Sequence, residues 1–150
     1  MPRYVRPDWF TFHVFNPGIA ALTRLGIGVL DSRILRVRGR SSGEWRSTPV
    51  NLMRFGDDAY LVAPRGHTQW VRNLRAAGSG ELQLGGRVQP FTAVELPDGE
   101  KPALLREYLR RWWFEAGAFF DGVKGDDPEP ELRRIAPDHP VFRIELSERR

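Results

Sequence analysis

The segment RVRGRSSGEWRSTPVNL, Arg36 to Leu52, holds the densest set of side chains able to do chemistry. Four arginines, Arg36, Arg38, Arg40 and Arg46, crowd a turn that contains two glycines and three serines. Ser41, Ser42 and the backbone amides beside Gly43 can donate hydrogen bonds to an anion, and Arg40 and Arg46 can add charge from either side. This chemistry suits a ligand carrying phosphate or carboxylate groups. It equally suits a solvated hairpin turn on a basic surface, which needs no ligand. Residue types alone leave both readings open.

Composition narrows the setting. A chain of 150 residues fits one domain, here 1–150, and can bury a real core. Lys+Arg 23 against Asp+Glu 19 leaves a net charge of +4, with arginine dominant. Arginine is the better residue for bidentate contact with phosphate or carboxylate. The excess is too small to imply nucleic acid, and the arginines cluster at one turn rather than along an extended face. With Cys 0, disulfides and thiol chemistry are excluded, and three scattered histidines (His13, His67, His139) argue against zinc. The sequence shows no signal peptide and no membrane-spanning stretch, so a cytoplasmic location is expected.

The elements that must position the basic turn follow from periodicity. Trp9 to Leu30 is an apolar opening divided by Pro17-Gly18, read as a helical extension (1–30) packed on the core or a subunit partner. The alternative for it is peripheral membrane contact, since Trp9, Phe10, Phe12 and Phe15 sit beside arginines. Strands are expected at Ile34–Arg38, Thr48–Phe55, Ala59–Ala63, Glu81–Leu84, Val88–Leu96 and Val141–Leu146. Pro49 implies that the second of these begins at an edge or bulge. Helices are expected at Gln69–Ala77, capped by Thr68 and ended by Gly78, and at Lys101–Phe114. Gly125 to Pro130 reads as an acidic loop. The result is an α+β fold, mainly an antiparallel sheet or barrel with flanking helices.

The ordered set GRSSGEWRSTP, a buried strand ending PRGH, a helix carrying WVRNL, then ELQLGGR, resembles the deazaflavin-dependent nitroreductase family. The likeness covers Leu35 to Leu96, with support from APDHPVFRIEL near the end. It implies a split β-barrel oxidoreductase that uses coenzyme F-420, whose tail carries a phosphate and an oligoglutamate chain. By resemblance, Arg40, Ser42, Gly43 and Arg46 hold the anionic tail, joined by Ser41 in the turn. Thr48, Pro49 and Pro64 border the ring, and Arg65 and Gly66 approach the phosphate. Trp70 and Asn73 lie on the helix that walls the site, although Trp70 on a helical stripe reads as core ahead of cofactor contact. His67 is a candidate proton donor, but a solvated loop histidine is the preferred reading.

The chain also departs from the family pattern. Ser41 stands where a basic residue is common, Pro64 where some members have serine, and Asn51 where nitroimidazole-reducing members have an aromatic. Asn51, Trp112, Trp113 and Phe114, with Phe119 and Phe120, could form a substrate wall, or equally core and interface. The resemblance implies hydride transfer to a small apolar or planar acceptor such as a quinone, and no catalytic triad. The alternatives are a flavin mononucleotide enzyme on the same barrel and a non-catalytic lipid- or cofactor-binding protein. A homodimer is expected by analogy with other split barrels.

Overall fold

The computed structural model describes residues 31–147, so the amino-terminal extension lies outside the described residues. Alternating apolar runs separated by glycine turns give six strands: β1 (Ser32–Arg38), β2 (Trp45–Phe55), β3 (Asp58–Val62), β4 (Ser79–Leu84), β5 (Arg87–Glu95) and β6 (Val141–Leu146). They close into an antiparallel barrel in the order β1-β2-β3-β6-β5-β4, with β1 also pairing β4. Two of the joins are two-residue hairpins, in which Phe55 opposes Asp58 and Leu84 opposes Arg87. Such short loops need left-handed backbone, which Gly56 (φ 64°) and Gly85 (φ 63°) supply.

Among the described residues three α-helices flank the barrel: α1 (Gln69–Ala77), α2 (Pro102–Ala116) and α3 (Glu129–Ile135). Helix α1 is amphipathic, and its Val71 and Leu74 are fully buried over one mouth of the barrel. The barrel interior is filled by inward residues such as Leu35, Leu52, Leu61 and Phe91. A second core lies outside the sheet, where Leu105, Tyr108 and Leu109 of α2 and Leu132 of α3 pack on Met53 and Val62.

Several sequence expectations change. Strand β2 starts at Trp45, before Pro49, but pairs with β3 only from Leu52 onward. Pro49 therefore occupies a stretch with a single partner strand, where its missing N–H does not interrupt a two-sided ladder. Thr68 does occupy the N-cap position of α1, yet its hydroxyl makes no capping hydrogen bond. The acidic loop is shorter than expected, because α3 begins at Glu129. Only Leu132 and Ile135 are buried on α3, too few to show a period, while Glu129 and Glu131 at its start and Arg133 and Arg134 at its end suit the helix dipole. Helix α2 runs on to Ala116 through a kink at Trp112 (φ −126°, ψ 24°).

Candidate functional site

The basic turn is a built structure. Gly39 N donates to Glu44 O (2.7 Å), Gly43 N to Gly39 O (2.9 Å), and Glu44 N to Ser42 Oγ (3.1 Å). Two of its four arginines serve the barrel surface. Arg36 and Arg38 both stack on Trp45, at 4.8 and 4.5 Å, Arg36 pairs with Glu81 at 2.8 Å, and Arg38 donates to Gly43 O at 2.8 Å. Arg40 ties the turn to α1: Asn73 Oδ1 accepts from Arg40 N (3.0 Å) and from its Nη1 (2.7 Å), and Gln69 Oε1 accepts from the same Nη1 (2.9 Å). Asn73 is buried, so this tether fixes the turn over the helix.

Between turn and helix lies a cleft of about 410 Å³. Leu35 and Val37 of β1, with Pro64 and Trp70, form its apolar side. Arg46, Ser47 and Thr48 of β2 face Arg65, Thr68, Gln69 and Asn73 across it. Thr68 is 7% exposed, and its Oγ1 has no hydrogen-bond partner among the described residues. A buried hydroxyl without a partner costs about 1–3 kcal/mol, so a ligand group that hydrogen-bonds it would recover that cost. The first turn of α1 carries no acidic residue, leaving its free amides and positive dipole end open to an anion.

The cleft thus brings together Arg46, Thr48, Pro64, Arg65, Trp70 and Asn73 of the residues singled out from sequence. Arg40 reaches it through Asn73. Ser41, Ser42 and Gly43 lie exposed at the turn, outside the lining, as does half-buried Pro49, and Gly66 is buried behind it. Trp70 is both wall and core: it is partly buried and its ring lies 6.1 Å from that of Phe142. His67 is turned away. Its Nε2 donates to Pro137 O (3.0 Å) and its Nδ1 lies 3.4 Å from Arg75 Nη2. None of the suggested substrate-wall residues lines the cleft. Asn51 is buried and donates to Tyr108 Oη (3.4 Å), and Trp112 is 2% exposed with its ring 4.9 Å from that of Tyr108. Trp113 and Phe114 are exposed on α2. Among the described residues no group of His, Cys, Asp and Glu could hold a metal ion.

Ser47, Gln69, Leu35, Val37 and the Thr68 hydroxyl were not singled out as site residues from sequence. The two apolar residues read as ordinary strand core. Gln69 carried a signal, being the first residue of a helix that opens beside a basic turn.

The sequence profile of the F420H(2)-dependent quinone reductases matches residues 21–118. The chain belongs to this family. Members are deazaflavin-dependent oxidoreductases, so coenzyme F-420, rather than flavin mononucleotide, is the cofactor. Among solved structures, an F420-H2 dependent reductase is similar at 27% identity over 77% of this chain and 94% of that chain, with a TM-score of 0.45. A protein of unknown function from Agrobacterium tumefaciens shares the fold at 15% identity over 98% of this chain and 61% of that chain, TM-score 0.51. No curated protein matches the chain significantly. The family cofactor has a planar ring and an anionic tail, and the cleft fits both: an apolar side for the ring, and Arg46, Arg65 and the Thr68 hydroxyl for anionic oxygens.

Proposed function

We propose that this chain reduces a quinone-type acceptor with reduced coenzyme F-420, bound in the cleft between the basic turn and α1. The observation that carries the reading is the pairing, in one cleft, of an apolar side with two arginines and a buried Thr68 hydroxyl that has no partner among the described residues. The cofactor supplies a hydride when bound, and the protein supplies orientation and electrostatics.

Arg46 and Arg65 provide charge-assisted contacts to the phosphate and glutamate groups. Thr68 Oγ1 and the free amides at the start of α1 extend that donor set. Arg40 acts through Asn73, holding the turn so that Arg46 stays aimed at the cleft. Leu35, Val37 and Trp70 exclude water from the planar ring, and Pro64 adds bulk without an N–H donor. Among the described residues the cleft lining carries no carboxylate and no imidazole.

The test is anaerobic turnover. Reduced coenzyme F-420 mixed with the protein and a soluble quinone should be oxidised, followed by the return of the oxidised cofactor's fluorescence. Equal rates with and without protein, or turnover with reduced flavin mononucleotide only, would overturn the proposal.

A further inference from the structure

Arginines stand where the barrel interior should end in apolar side chains. Alternate residues of a strand face the same side. The inward series are Arg33-Leu35-Val37 on β1, Val50-Leu52-Arg54 on β2 and Arg87-Gln89-Phe91 on β5, and Leu35, Leu52 and Phe91 belong to the barrel core. The register sets Arg33 opposite Val50 and Arg87 opposite Leu84, which brings the three arginines to one end. That end is opposite the cofactor cleft, which Val37, Arg46 and Thr48 line from the other ends of β1 and β2.

Arg33, Arg54 and Arg87 line a cavity of about 80 Å³ whose floor includes Leu52 and Leu82, both nearly fully buried. The space holds several waters or one tetrahedral oxyanion. Among the described residues none of the three arginines has a carboxylate within ion-pair distance. Arg33 Nη1 donates to Ser32 O (3.0 Å), a neutral acceptor that balances no charge. Burial lowers the Arg33 pKa; Asp31 opposes the shift, and Arg54 and Arg87 add to it by like-charge repulsion.

Three neighbouring cations over an apolar floor, with Asp31 acting on Arg33 only at a distance and no carboxylate of the described residues in ion-pair contact, form a site with an excess of positive charge. Guanidinium forks match the geometry of phosphate oxygens, and the apolar floor strengthens each contact. We propose that this end of the barrel binds a single phosphate-class oxyanion between Arg33, Arg54 and Arg87. The reading does not depend on the cofactor cleft or its ligand.

Calorimetric titration of inorganic phosphate into the full chain tests it, with Arg54→Gln, Arg87→Gln and Arg46→Ala beside the unaltered protein. Arg54 and Arg87 are exposed, so these variants keep the barrel fold. Each is expected to weaken phosphate binding about tenfold, the loss of one charge-assisted contact. Arg46→Ala, which alters the cleft alone, should leave this binding unchanged. The opposite pattern would place phosphate in the cofactor cleft and overturn the proposal. An absence of saturable binding would also overturn it, showing that the arginines only extend into solvent and close the barrel. A parallel titration with glycerol phosphate distinguishes the source. Tighter binding than inorganic phosphate assigns the site to a phosphate carried on a larger molecule, and weaker binding assigns it to the free ion.

Discussion

Replacing Asn73 by alanine tests how the basic turn is held. Asn73 Oδ1 accepts two hydrogen bonds from Arg40, one from its amide at 3.0 Å and one from its guanidinium at 2.7 Å. A neutral bond contributes about 0.5–1.5 kcal/mol and a charged one about 1.5–3 kcal/mol. The Arg40 head is exposed, so water replaces much of the second contact, and Gln69 still holds it at 2.9 Å. The expected loss is therefore about 1–2 kcal/mol, a fall in Tm of about 2–8 °C for a domain of this size. Cofactor binding should weaken as well, because the turn that aims Arg46 is released from α1. Asn73→Asp keeps the acceptor oxygen and should retain most of the stability. Thermal unfolding and fluorescence titration with coenzyme F-420, run on both variants, check this. An unchanged Tm in Asn73→Ala would refute the tether. Loss of cofactor binding with no change in Tm would instead mean that Asn73 touches the ligand directly.

Other perturbations have distinct signatures. Arg46→Ala should weaken coenzyme F-420 by about 1.5–3 kcal/mol, roughly 10- to 150-fold, with little change in Tm, measured by the same titration. Gly80→Ala would place a Cβ 2.8 Å from Arg36 O and 2.9 Å from the Phe91 ring, against backbone and core together. It should cost about 1–3 kcal/mol in denaturant unfolding, and a neutral result would show that the β1–β4 seam yields easily. Arg75 hydrogen bonds hold the Glu95 carboxyl below the usual carboxylate range, against the opposing effect of burial. Because the folded pKa lies below the unfolded one, this stabilisation is present at neutral pH and is lost as pH falls through the folded value. The pair is partly exposed, so Glu95→Gln should cost only about 0.5 kcal/mol at pH 7 and nothing once the carboxyl is protonated, read from unfolding curves across acid pH.

Much of the barrel was legible in the sequence because strand alternation and helix periodicity are local. Helix α1 shows the expected bounds, since Val71 and Leu74 face the core and Gly78 follows. Helix α3 was not legible, with two buried residues too few to reveal a period. The site divides in the same way. Arg46 and Arg65 stand out as charges beside turns, and both line the cleft. Leu35 and Val37 do not, because an inward strand residue that fills a barrel looks identical to one that borders a mouth. Arg40 and Asn73 lie 33 residues apart in sequence, and only the folded chain makes them one unit. The density of the aromatic run at Trp112 to Phe114 left substrate wall and core or interface equally open from sequence, and the kinked helix buries Trp112 against Tyr108 while Trp113 and Phe114 stay exposed.

Direct titration of oxidised coenzyme F-420 into the protein, with flavin mononucleotide as competitor and Arg65→Ala as the paired variant, tests the central claim most directly. The cleft assignment predicts saturable binding of coenzyme F-420 that flavin mononucleotide does not displace and that Arg65→Ala weakens at least tenfold. Binding of equal strength in the variant, or ready displacement by flavin mononucleotide, would contradict it.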